Sequence, residues 1–277
     1  SWQTAYPVKS IQNTRGRFYF VQDFEPWFYP MGSEYKFAEN TYQFGFYGIC
    51  AGPWLVKILK ENYGMESDFF DLAYDHKIYF PKKIEGRLIL ESKDASGSKK
   101  TIILKPNKKP KIIYYARPVS PRRGFELAVQ AFRELYKRGI DFDLSFFGWD
   151  ISPYIIPFPY RNLKILSHSD LSKLYNWADL GVVFSMSNYS LLPHEMMACQ
   201  LPVLDLRGLT LEGIFQDGYN IFLANPDPIS IADKIEEILS DSEKRKKVVD
   251  NAYQYVQQFS WEKSAKRVEE ILRRELR

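Results

Sequence analysis

Two arginines and one glutamate carry the chemistry that this sequence most directly suggests. Arg117 and Arg123 stand six positions apart in Tyr115-Ala-Arg117-Pro-Val-Ser-Pro-Arg122-Arg123-Gly124-Phe125, between an apolar run and a helix-patterned one. Guanidinium forks match phosphate oxygens, and each charge-assisted bond contributes roughly 1.5–3 kcal/mol. Open parallel sheets bind ligands outside the carboxyl ends of their strands, and helix starts favour anions. A solvated basic loop is the alternative reading. A second polar loop, Phe184-Ser-Met-Ser187-Asn188-Tyr189-Ser190, leads into a helix that opens near Glu195. A carboxylate in a first turn also stabilises a helix on its own account. Because both loops leave strand ends of one sheet, the expectation is a single pocket. In it Arg117 and Arg123 meet a phosphate, with Glu195 at the neighbouring strand tip.

The elements that must position these residues alternate from Lys111 onward. Strand patterns fall at 111–116, 143–148, 163–166, 180–185 and 202–206, and helical spacing at 124–138, 170–177, 195–200, 229–239, 241–259 and from 262. Such alternation predicts a parallel sheet with helices on both faces, an α/β fold. Ahead of it, 17–22 and 69–72 read as strands and 54–62 as a helix. The stretch 82–110 is polar, lysine-rich and punctuated by Gly and Pro, so it reads as a linker or exposed loop.

Bulk properties narrow the function classes. A chain of 277 residues with 45% hydrophobic and 26% charged residues is globular. Its net charge of +4 fits an anionic ligand or an anionic membrane surface and falls short of a nucleic-acid binder. Cys50 and Cys199 sit far apart in apolar surroundings and are expected as free buried thiols. No apolar run reaches the roughly 18–20 residues of a membrane span, and no signal peptide is visible. The chain opens with Ser1-Trp2-Gln3 rather than Met, so a fragment of a longer protein is expected.

From Lys111 to the end, the sequence resembles the donor domain of the retaining GT4-type glycosyltransferases. Arg117 and Arg123-Gly124 stand where that family has an Arg and a Lys-Gly clamping the donor diphosphate. Glu195-Met-Met-Ala198 with Pro202-Val203 is similar to the second half of the family's Glu-(x7)-Glu segment, whose second Glu holds the nucleotide ribose. Asp217-Gly218-Tyr-Asn220 and Phe259-Ser260-Trp261-Glu262 resemble its following loop and closing signature. Tyr19-Phe-Val-Gln-Asp23-Phe-Glu25-Pro, with Ala116-Arg-Pro and Arg122-Arg-Gly124, is similar to bacterial rhamnosyltransferases of surface-polysaccharide synthesis.

The resemblance implies a GT-B fold: a Rossmann-like parallel-sheet donor domain plus a partial N-terminal Rossmann-like domain. The implied division is 1–81 for the acceptor side, 82–110 for the linker, 111–260 for the donor domain and 261–277 for a helix crossing back. It implies Arg117, Arg123 and Glu195 as catalytic residues. The donor-binding set adds Gly148, Leu166, Ser167, Asn188, Tyr189 and Ser190, with Asp23 and Glu25 on the N-domain side. The implied partners are a dTDP-sugar donor, with UDP- and GDP-sugars as alternatives, and a glycan or lipid-linked glycan acceptor. No cofactor or metal is expected. The implied location is cytoplasmic, with peripheral contact at the inner membrane face.

The sequence departs from the pattern in three places. Ser187 occupies the first Glu position, Gln200 replaces a Gly, and the opening strands and Gly-rich loop of the first domain are absent. These keep a second expectation open, a non-catalytic nucleotide-sugar-binding or interaction module. Asp141-Phe-Asp143 matches a metal-binding pattern but precedes a strand, on the wrong edge of the sheet. His194 abuts Glu195 and is a candidate ligand contact, whereas His76 and His168 share no zinc or triad spacing with it.

Overall fold

In the computed structural model, residues 1–94, 97–211 and 213–277 are described; residues 95 and 96 of the expected linker, and residue 212, lie outside them. The chain runs α1 (Trp2–Lys9), β1 (Phe18–Val21), α2 (Ser33–Asn40), β2 (Tyr47–Ala51), α3 (Pro53–Tyr63) and β3 (Ser67–Phe70). A hairpin follows, β4 (Leu88–Lys93) and β5 (Lys99–Leu104). Then come β6 (Lys111–Tyr115), α4 (Phe125–Lys137), β7 (Asp143–Phe147), β8 (Arg161–Asn162), β9 (Ile165–Leu166), α5 (His168–Trp177) and β10 (Leu180–Val182). The rest is α6 (Leu192–Ala198), β11 (Val203–Leu206), β12 (Phe222–Ala224), α7 (Pro228–Ser240), α8 (Ser242–Val256) and α9 (Trp261–Glu275).

The larger sheet has the order β12-β11-β10-β6-β7-β8, with every pairing parallel. Period-2 alternation along β6 sends Ile112 and Tyr114 into one layer with α4 and α7, and Ile113 into the other with α5 and α6. That is the helix–sheet–helix architecture that the alternating pattern predicts. The smaller sheet, β1-β2-β3, is also parallel. Its core of Val21, Ile49, Leu55 and Leu59 is closed by Ile271 of α9, the last helix of the chain. Arg267 and Arg274 of α9 both bind Asp68 at the start of β3, and Ser264 donates to the Asp71 carbonyl.

Two local expectations change. The stretch 82–110, expected as an exposed linker, contains the β4–β5 hairpin, and β4 pairs antiparallel with β9. The reason is alternation: Leu88, Leu90 and Ser92 are buried while Ile89, Glu91 and Lys93 face out. The strand expected at 163–166 is instead two short ones either side of Leu163, because Lys164 takes a positive φ of 55° and turns the chain from β7 toward β4. Cys50 and Cys199 are both buried and free. Among the described residues, no helix is long and apolar enough to cross a membrane.

Candidate functional site

A cleft of about 500 Å³ lies between the two sheets, lined by Asp23, Glu25 and Phe28 on one side and Arg122, Arg123 and Ser190 on the other. The β6–α4 loop supplies the arginines. Gly124, at φ +57°, turns the chain into α4, and a Cβ there would press on Met186 and Phe184. This brings Arg123 onto the β10 exit, where its guanidinium donates to the Ser185 hydroxyl at 2.5 Å and reaches the Phe184 carbonyl at 3.5 Å. Ser185 in turn donates its N–H to buried Asp205.

Arg122, which the sequence reading did not select, lies beside Arg123. Its guanidinium stacks 4.2 Å from the Phe28 ring centre, and its Nε is 3.6 Å from Asp23. Burial, the Arg123 guanidinium and, more weakly, Arg117 push the Arg122 pKa down, while Asp23 opposes them. A cluster of cations that destabilise one another is relieved by an arriving anion. The signal for Arg122 was present in the Arg-Arg pair but is not distinguishable there from a solvated charge.

The other expected residues are distributed unevenly. Arg117 is exposed at the loop's start, within electrostatic reach of Arg122, and is not part of the cleft lining. Glu195 does not reach the cleft either. Its carboxylate is buried and accepts from the Tyr175 hydroxyl at 3.4 Å, and burial raises its pKa to about 7. The expected three-group pocket is therefore not assembled: helical periodicity placed Glu195 in a first turn but could not say which face met α5. Ser190 does line the cleft, and its buried hydroxyl has no hydrogen-bond partner among the described residues.

Residues 187 and 188 serve the domain interface. The Ser187 hydroxyl donates to Asp23 at 2.9 Å, and the Asn188 N–H donates to the same carboxylate at 2.9 Å. The Asn188 amide donates to the carbonyls of Gln22 and Ala51. The Tyr189 hydroxyl accepts from the Leu72 N–H, and its ring edge lies 2.8 Å from where a Cβ on Gly52 would sit. Burial raises the Asp23 pKa, with Arg122 and these donors working against it. Glu25 accepts from the Trp2 N–H at 2.6 Å.

Leu166 is buried in the core, and the Ser167 hydroxyl caps α5 by accepting from the Asp170 N–H. Gly148 has φ +99°, and a Cβ there would stand 2.4 Å from the Tyr115 ring. Gly148→Ala is therefore expected to cost about 2–4 kcal/mol of stability, read as a lowered urea midpoint. Asp141 pairs with Lys109, and Asp143 with Arg161 and Asn107. His194 is buried in a box of Tyr189, Phe215, Tyr255 and Phe259, and desolvation lowers its pKa to about 4.

These buried groups predict a pH dependence. Asp205 is raised from 3.8 to about 8, and Glu195 from 4.5 to about 7, so the folded chain holds protons that the unfolded chain has released. Their stabilising contribution is lost as pH rises through those folded values. His194 acts in the opposite sense, but only below its ordinary 6.5. The unfolding free energy is expected to fall between pH 6.5 and 8.5 in denaturant titrations. Asp205→Asn, which keeps the neutral shape, should flatten most of that slope.

Comparison with known proteins fits this geometry. Sucrose-phosphate synthase from Thermosynechococcus elongatus superposes with a TM-score of 0.77 at 16% identity, covering 99% of this chain and 71% of that one. HepE from Anabaena, solved in complex with UDP-glucose, superposes with a TM-score of 0.70 at 15% identity, covering 92% and 71%. The fold is GT-B. The family described as glycosyl transferases group 1 matches residues 109–241, which contain Arg117, Arg122, Arg123 and Glu195. Over 273 residues the chain is 30% identical to the O-antigen biosynthesis protein RfbC of Myxococcus xanthus, covering 97% of this chain. Over residues 109–241 the chain is thus similar to the glycosyl transferases of group 1. It spans 20% of the length of that curated relative.

Proposed function

We propose that the chain moves a sugar from a nucleoside-diphosphate donor onto a polysaccharide or lipid-linked glycan acceptor. The observation that carries this reading is the arginine cluster at the cleft, with Arg123 anchored on Ser185 and Arg122 beside it, 3.6 Å from Asp23. As the bond between the sugar and the diphosphate breaks, charge builds on the leaving oxygens. Fixed guanidinium groups stabilise that charge without reorganising. This supports a metal-independent reaction. Closure of the cleft excludes water, so that the acceptor takes the sugar. The name of the Myxococcus relative supports a role in surface-polysaccharide synthesis, and the HepE complex supports a nucleotide-sugar partner. The resemblance to rhamnosyltransferases favours dTDP-rhamnose, used at the cytoplasmic face of the membrane. Calorimetric titration with dTDP, UDP and GDP tests the reading: one of them should bind saturably, and no binding by any at millimolar concentration would overturn it.

A non-catalytic nucleotide-sugar-binding module is the second reading. The observation that favours it is Ser187, which occupies the first Glu position and spends its hydroxyl on Asp23. Transfer assays with labelled nucleotide sugar separate the two, because the module binds without turnover.

A further inference from the structure

On the far side of the Glu25–Phe28 turn from the diphosphate cleft lies a second groove of about 660 Å³. Phe28 lines the cleft and Trp27, the next residue in the turn, lines the groove, so the two are neighbours along one interdomain trench. The floor is a pair of indoles. Trp54 is buried, and Trp27 rests on it with ring centres 5.4 Å apart while staying 42% exposed. One wall is α3, from which Lys57, Glu61 and Asn62 reach the groove, and Leu209 stands opposite on the donor domain. Lys57 and Glu61 are four apart on the helix yet form no ion pair. Among the described residues, the side chains of these three have no partner.

An exposed indole beside unpaired groups of both hydrogen-bonding senses is chemistry for a sugar ring. A pyranose presents an apolar C–H face that packs on an aromatic plane, and a rim of hydroxyls that needs donors and acceptors together. Lys57 donates, Glu61 accepts, and Asn62 does both. The opposite charges of Lys57 and Glu61 cancel, which suits a neutral ligand better than an anionic lipid surface. We propose that the Trp27–Trp54 groove is an acceptor-glycan subsite, seating a pyranose ring of a neutral oligosaccharide on the open face of Trp27. The proposal rests on the glycosyltransferase reading and narrows its acceptor to a glycan held some distance from the reacting sugar.

The test is saturation-transfer NMR and calorimetry on the chain with a short rhamnose oligosaccharide and with maltohexaose. Vesicles of phosphatidylglycerol form a third arm, and dTDP, UDP and GDP are titrated in parallel. At least one oligosaccharide should bind. Trp27→Ala should weaken it by about tenfold, Trp27→Phe should restore most of it, and nucleotide affinity should stay unchanged in both. Absence of oligosaccharide binding in a chain that still binds a nucleotide overturns the subsite and leaves the transferase reading standing. Vesicle binding lost in Trp27→Ala without oligosaccharide binding also overturns it, in favour of a lipid-facing groove. Loss of nucleotide binding in every form counts against the transferase reading instead.

Discussion

Replacing Arg123 by alanine is expected to weaken nucleoside-diphosphate binding by about 10- to 150-fold, the loss of one charge-assisted contact. The argument is positional. Arg123 lines the interdomain cleft, and the Ser185 hydroxyl and Phe184 carbonyl hold its guanidinium, so its rotamer entropy is spent before any ligand arrives. Arg123→Lys keeps the charge but loses the fork geometry, and should fall between alanine and wild type. Arg122→Ala should also weaken binding, by less, because that guanidinium starts from its contacts with Phe28 and Asp23. Arg117→Ala should cost least, since Arg117 acts from outside the lining. Calorimetry on the four variants checks this order. Equal affinities throughout would remove the arginine cluster from the site.

The second large effect belongs to Asp23. This carboxylate accepts from the Ser187 hydroxyl and from the N–H groups of Asn188 and Phe24, and it faces Arg122. Asp23→Ala removes the acceptor and leaves several buried donors unmatched, an expected cost of about 2–4 kcal/mol. Because two of those donors come from the other domain, the loss should loosen the interface as well as lower stability. Chemical denaturation should show an earlier and broader transition, and small-angle scattering a larger radius of gyration. A variant as stable and compact as the wild type would mean that the other contacts, among them Asn188 with Gln22 and Ala51 and Tyr189 with Leu72, hold the domains together without Asp23.

How far the sequence could be read depended on the kind of residue involved. The donor sheet was legible because β6, β7, β10 and β11 are short apolar runs set between amphipathic helices, so pattern and burial agree. The β4–β5 hairpin was hidden by its own lysines. Lys93, Lys99 and Lys100 face out from it, and composition outweighed the alternation of Leu88 and Leu90 beneath. At the site, Arg123 was recoverable from its place between a strand and a helix. The Asp23–Ser187 contact spans 164 positions, and no local pattern encodes such a pairing. The direction of Glu195 was lost for a similar reason: Tyr175 reaches it from a separate helix. The aromatic residues of the N-terminal region are mixed in their placement. Tyr42 is buried, while Trp27 and Phe28 are open.

The contact between α9 and the first domain has a consequence for synthesis. Arg267 and Asp68 meet across 199 positions, and Ile271 seals a core whose other members were translated long before. On the ribosome, the N-terminal sheet therefore waits with one wall missing while the Rossmann-like half behind it emerges and folds. Maturation runs back to front, with the earlier of the two sheets completed last, and a nascent chain stalled before α9 should display a protease-sensitive first sheet beside an already resistant second one.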